Sequence, residues 1–284
     1  MLRVYFDTNV YDRIDKGQVP AEEVEALRAA LARGELVAHL SLADVEELLG
    51  QWETDRAASV RKLRFARDLV GFDGLLRAPA TLLTEAIQAY VAGAPAPSVT
   101  LPPDQLQVLV PALNDVADSG TRFDSVVSGI VADMRKNKEH FLTGMAEAGA
   151  QAAAELTPET LEQARRWGPT FDLFWEKAAP LYAEDFAARL GLSSACRERG
   201  LDGLLEVRAV RLSVGVALSL VFSQVVEGRD PDRGDGYDMW HAVLGSTADA
   251  FLTLDGRLAG HLQRIPGVPA FRVVRSLRDL LRPS

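Results

Sequence analysis

Two rhythms of apolar residues run along this chain. Short apolar runs at Val4–Phe6, Glu35–Leu40 and Ala250–Leu254 have the length and composition of strands buried on both faces. Between the first two, Pro20–Arg33 spaces Val24, Leu27, Ala30 and Leu31 at helical intervals, with proline at the start and Gly34 at the end. A shorter helix is predicted over Val10–Ile14. The resulting β-α-β order implies parallel strands joined by right-handed crossovers. Ser41 and Asp44 read as a capping box for the next helix, whose apolar face is Val45, Leu48, Leu49 and Trp52. A further strand is predicted over 270–274 and a short helix over Ser276–Leu281.

From Gln51 to Glu227 the strand signal nearly vanishes. Helical spacing predicts segments over 57–69, 79–92, 104–117, 124–156, 158–167, 171–190 and 201–226. Gly93–Ser98 and Pro102-Pro103 mark a loop or linker. The chain is therefore expected to be an α/β core in two pieces, residues 1–52 and 229–284, interrupted by an all-helical insertion over 53–228. The insertion is expected to serve as a lid, a substrate region or a partner region. Its longest apolar stretch, Leu212–Val226, is broken by Ser213, Ser219 and Ser223. It falls short of the roughly 20 apolar residues of a membrane span, so a buried helix is expected and no membrane partner.

Composition narrows the setting more than the chemistry. At 48% hydrophobic and 25% charged residues, the chain has the balance of a globular protein. Its one cysteine, Cys196, excludes an internal disulfide and a cysteine metal cluster, which fits a reducing, cytoplasmic location. The formal net charge of −9 does not advertise nucleic-acid binding, so a phosphodiester substrate would need cations and a local basic surface.

Candidate chemistry lies where predicted strands end. Asp7 closes the first, followed by Thr8 and Asn9; Asp255 closes the one at 250–254, two residues after Thr253; Asp238 opens a helical pattern in between, where Asp235 is expected to be the cap. A carboxylate just past a parallel strand sits at the edge where open α/β sheets form ligand crevices. In the helix after Ser41, Glu46 and Glu47 both remain open, Glu46 lying nearer the flank of the apolar face. Asp12, Asp15 and Asp249 read as solvent-facing. The loop acids Asp230, Asp232 and Asp235 lack the order and closing glutamate of an EF-hand and read as a solvated turn. No histidine pair has zinc-ligand spacing, and no Gly-rich phosphate loop or Ser/His/Asp arrangement is present.

In this order, the Asp7-Thr8-Asn9 strand end, a glutamate before Leu48-Leu49-Gly50, the helix opening at Asp238 and the closing Thr253-x-Asp255 resemble the PIN-domain ribonucleases. The resemblance covers about the first and last 50 residues. It implies a PIN-like three-layer core around a small parallel sheet. It also selects Glu47 over Glu46 and implies a four-carboxylate site of Asp7, Glu47, Asp238 and Asp255, with Thr8, Asn9 and Thr253 in support.

Four carboxylates in one pocket raise one another's pKa, and hard divalent cations such as Mg²⁺ or Mn²⁺ relieve that repulsion. The expected activity is metal-dependent hydrolysis of RNA, with the four acids as ligands. Expected substrate contacts are Arg61, Lys62, Arg64 and Arg67 beside Phe65, a second cluster of Arg135, Lys136 and Lys138, and His241 one helical turn after Asp238. Solvated helix faces and a hydrogen-bonded histidine are the plainer readings of these groups. Small PIN nucleases often act as toxins held by antitoxins, so an inhibitory protein partner is a further expectation by analogy. The alternatives are a silent RNA- or protein-binding scaffold and a metal-dependent DNA nuclease. A haloacid-type phosphatase would need Asp-x-Asp-x-Thr, which Asp7-Thr8-Asn9-Val10 does not supply.

Overall fold

The computed structural model describes residues 1–118, 123–155, 157, 159, 162, 171–232, 234–268 and 271–282. It is a mostly helical α/β fold around one small, all-parallel sheet. Strands β1 (Leu2–Phe6), β2 (Leu36–Ala38), β3 (Ala250–Leu252) and β4 (Arg272–Val274) lie in the order β2-β1-β3-β4. Leu2 to Val4 of β1 face Leu36 to Ala38 of β2. On the other side, Val4 to Phe6 face Ala250 to Leu252. The chain therefore leaves β1 in one direction for β2 and returns on its opposite flank as β3, a topological switch that opens a crevice at the carboxyl ends of β1 and β3.

Local chemistry accounts for the elements that flank this crevice. Helix α1 (Thr8–Asp15) starts where the Asp7 side chain accepts from the Asn9 amide. Helix α2 (Ala21–Ala32) buries Val24, Leu27 and Ala30, and Gly34 ends it at φ 67, which a residue with a Cβ adopts only at a cost. The expected Ser41/Asp44 capping box opens α3 (Leu42–Leu48) with both reciprocal bonds present.

The middle helices do not stand apart from the sheet. Helix α4 (Arg56–Val70) packs on α1 and α3; α5 (Pro79–Ala92), α6 (Pro103–Asp118) and the long α7 (Asp124–Glu155) follow. After α8 (Phe171–Arg189) and two short helices, α9 (Ser193–Arg199) and α10 (Leu201–Leu205), comes α11 (Arg208–Val225). It packs against α5, α7, α8, α12 (Asp235–Gly245) and α13 (Gly256–Arg264). By length and composition α11 could cross a membrane, but 78% of it is buried in the fold. Helix α14 (Leu277–Leu281) closes the described chain against α2 and β4. Buried side chains of the sheet and of the middle helices form one continuous apolar cluster.

Two expectations change, and a third is not tested. The helix expected over 201–226 is two helices, because Val207 is extended and the Arg211 guanidinium turns back to cap the Leu205 carbonyl at 2.8 Å. Helix α9 lies where no element was expected. Most of the helix expected over 158–167, and Ala270 of the last strand, lie outside the described residues.

Candidate functional site

Asp7, at the carboxyl end of β1, is the buried centre of the crevice. Its carboxylate accepts from the Asn9 side-chain amide and, at 2.6 Å, from the Thr253 hydroxyl. Thr253 Oγ1 in turn accepts from Asn9 Nδ2 at 3.1 Å and from the Asp255 amide at 3.0 Å. Asn9 Oδ1 takes the Leu254 amide at 2.9 Å. Asn9 and Thr253 thus stitch the end of β1 to the end of β3. Burial pushes the Asp7 carboxyl above its usual range, offset in part by the nearby His241 charge and the Thr253 bond.

The opposite wall is built by α3, α12 and α7. Glu47 Oε2 accepts from Thr8 Oγ1 at 2.6 Å and from His241 Nε2 at 2.8 Å, while Oε1 faces Lys138 Nζ at 3.2 Å. His241 is fully enclosed, its Nδ1 lying 2.7 Å from the Tyr5 hydroxyl, which donates to Asp44 Oδ1 at 2.8 Å. Nδ1 thus faces the Tyr5–Asp44 pair and Nε2 the Glu47 carboxylate, with Nε2 also 3.7 Å from Asp7 Oδ1, surroundings that favour the doubly protonated ring. Burial alone would lower its pKa, but the bond to Glu47 and the charges of Asp7, Glu47 and Asp44 carry it well upward. Burial would raise Glu47, yet His241 and Lys138 hold its carboxyl well below the usual range.

Asp238, in the first turn of α12, is part-buried, and its carboxylate makes no hydrogen bond or ion pair among the described residues. Burial and then the Asp7 charge push its pKa up, with Asp235 and Asp255 adding to the rise and His241 opposing it. Asp255 caps α13, accepting from the Arg257 amide at 2.7 Å. Asp235 is not the cap of α12: it lies inside the first turn, buried, and pairs with Arg229 at 2.6 Å, because Gly234 occupies the cap position. Among the described residues no three His, Cys, Asp or Glu side chains already enclose a metal position.

Other expected contacts are distributed differently. Arg61 pairs with Asp15 and Lys62 with Asp12, so these two acids, expected to face solvent, are instead part-buried partners of α4. Arg64 donates to the Ala117 and Asp118 carbonyls at the end of α6, and Arg67 pairs with Asp118. Phe65 lies under Arg28. Arg135 pairs with Glu53, and Lys136 is exposed. Of the basic residues considered, Lys138 is the one whose ammonium reaches a site carboxylate. Asp249 pairs with Arg3 at 2.8 Å. In the loop before α12, Asp232 pairs with Arg229 and Arg257.

Glu46 and Glu47 point to different places. Glu47 enters the crevice, whereas Glu46 accepts from Tyr237 at 3.1 Å beside a separate cavity. Sequence reasoning missed Tyr5 and the second role of Asp44. Tyr5 is hidden in a strand whose every residue reads as core, and the capping role of Asp44 accounts for it completely on its own.

The fold and crevice define a mixed α/β protein with an acidic cleft at the switch point of a parallel sheet. No family model, no curated protein and no solved structure matches the chain.

Proposed function

We infer that the chain is a metal-dependent ribonuclease of PIN type, hydrolysing RNA phosphodiester bonds in the crevice at the ends of β1 and β3. The observation that carries this reading is the position of Asp7: a buried carboxylate at the switch point which, with Asp255, lies close enough to Asp238 to oppose its ionisation. The small parallel sheet and the acids after β1 and β3 support this reading.

The donor set suits a hard cation. Asp7, Asp238 and Asp255 offer oxygen alone, and Asp238 is an unpaired carboxylate whose ionisation is opposed by burial and by its neighbours. These three would hold Mg²⁺ or Mn²⁺, directly or through water. When bound, such an ion activates a water and offsets charge on the phosphate. The protein's own groups do the rest. Asn9 and Thr253 fix the Asp7 oxygens, Thr8 fixes Glu47, Lys138 presents positive charge to a phosphate oxygen, and the enclosed His241 offsets the carboxylates around it. Glu47 takes part as the anchor of those two cations.

That same anchoring favours a second reading. Glu47 is already neutralised by two internal cations, an arrangement equally suited to a non-cleaving scaffold that binds RNA. Labelled single-stranded RNA and matched DNA, incubated in Mg²⁺ or Mn²⁺ with wild type and Asp7→Asn, separate the two. RNA cleavage abolished by chelator and reduced more than about a hundredfold by the substitution supports the nuclease, since that exceeds the usual loss for an outer-shell partner. Metal-independent RNA binding without cleavage supports the scaffold. Cleavage of DNA alone would overturn both.

A further inference from the structure

Two neighbouring helices each show one residue to the acidic crevice and the preceding residue to a different space. On α3, Glu47 faces the crevice and Glu46 does not; on α12, Asp238 lies by the crevice and Tyr237 turns away. A one-residue step along a helix turns the side chain by about 100°, so this division follows from helical geometry. Glu46 and Tyr237 meet at 3.1 Å on the wall of a cavity of about 200 Å³, whose other walls include Trp240 of α12, Phe141 of α7 and Pro79 of α5. Gly236 permits the enclosure: a Cβ there would stand 2.8 Å from the Phe141 ring. Lys138 joins the two spaces, its ammonium 3.2 Å from Glu47 and 4.3 Å from the centre of the Tyr237 ring.

We propose that this cavity is a base-recognition pocket that takes one unpaired nucleobase, guanine in preference to the others, next to the phosphate held in the crevice. The proposal rests on the ribonuclease reading and names its specificity. Aromatic walls suit the face of a splayed base. Glu46 is part-buried and its carboxylate accepts only; Tyr237 supplies one donor, leaving room for more. Guanine alone among the four bases places a ring N–H beside an exocyclic amine, two donors that a carboxylate can accept side by side. Uracil turns carbonyl oxygens toward Glu46 on either side of its single ring N–H, and adenine and cytosine offer an amine without the adjacent ring donor.

The test uses the full chain in chelator, so that binding is read without cleavage. Equilibrium dialysis of the four labelled ribonucleosides should give guanosine the tightest binding, by about tenfold, the value of one charge-assisted hydrogen bond. Glu46→Gln should erase that preference, and Trp240→Leu should weaken all four by about tenfold through lost stacking. Glu46→Gln is a same-shape change at a part-buried position, so it keeps the test decisive if Trp240→Leu fails to fold. Equal binding of the four nucleosides, absence of binding, or a guanosine preference that survives Glu46→Gln would each overturn the pocket. RNA cleavage sensitive to Asp7→Asn but indifferent to base and to Glu46→Gln would overturn it while leaving the ribonuclease standing. Glu46-dependent guanosine binding with no cleavage in either metal would keep the pocket and discard the hydrolysis.

Discussion

The two walls of the crevice handle negative charge in opposite ways. Around Asp7 the hydrogen-bonding partners are neutral, a threonine hydroxyl and an asparagine amide, while the His241 ring stands 3.7 Å off and bonds to Glu47 instead. They orient the carboxylate without cancelling it, and Asp238 and Asp255 add further negative charge nearby. Around Glu47 the partners are cations, His241 and Lys138. One wall is preorganised but electrostatically unfinished, while the other is complete within the protein. A divalent ion therefore has most to gain at the Asp7 wall, and Glu47 chiefly anchors His241 and Lys138.

The largest effect that would test this contrast is on stability. His241→Ala leaves Glu47, Asp44 and Asp7 without their buried counter-charge, and should cost about 3–5 kcal/mol in denaturant unfolding. A cost below about 1 kcal/mol would mean that the Glu47 wall is not internally completed. Next comes a change of opposite sign. Because the fold opposes ionisation of Asp238, Asp238→Asn should stabilise the metal-free protein above the ordinary carboxylate pKa, by about 1 kcal/mol or more. The rise in Tm on adding Mn²⁺ to wild type should disappear in the same variant. A destabilised Asp238→Asn protein would assign this carboxylate a structural role instead.

The pH profile sharpens the comparison further. Glu47 titrates lower in the folded protein than its ordinary 4.5, so its stabilisation is present above that pH and fades as pH falls toward the folded pKa. His241 titrates above its ordinary 6.5, so its contribution is complete below 6.5 and fades as pH rises toward a folded pKa of about 10. The pair should contribute most between about pH 4.5 and 6.5. His241→Gln should flatten the alkaline side of the stability curve; an unchanged slope would deny the imidazolium. The smallest effect concerns α4. Arg64→Ala should cost about 1 kcal/mol through the lost caps on α6 and leave RNA affinity nearly constant. The reverse outcome would make the α4 cations a substrate surface.

Much of the frame was legible because short-range signals carry it. Val4 to Phe6 read as a buried strand without further context, and proline and glycine bounded α2 and α5. Ser41 and Asp44 declared their helix start outright. Residues whose role depends on a distant partner were harder. Nothing local distinguishes Lys138 from Lys136, yet two positions along α7 one enters the crevice and the other stays exposed. Nor does composition separate paired from free cations: Arg61 and Lys62 read as a basic patch until Asp15 and Asp12 on α1 engage them. The break at Glu206–Val207 depends on Arg211 folding back, a choice that helical periodicity does not record.

The bond from Thr253 to Asp7 joins residues 246 positions apart. During synthesis β1 lacks its central neighbour until β3 follows, after all the described helices of the middle region. The carboxylate of Asp7 is left without its orienting hydroxyl for that whole interval, and the crevice comes into being only once β3 has emerged. Non-local pairing of this kind slows folding. On the proposed ribonuclease reading the delay is a form of timing: a partly made chain, still tethered to the message that encodes it, has no finished site with which to cut it.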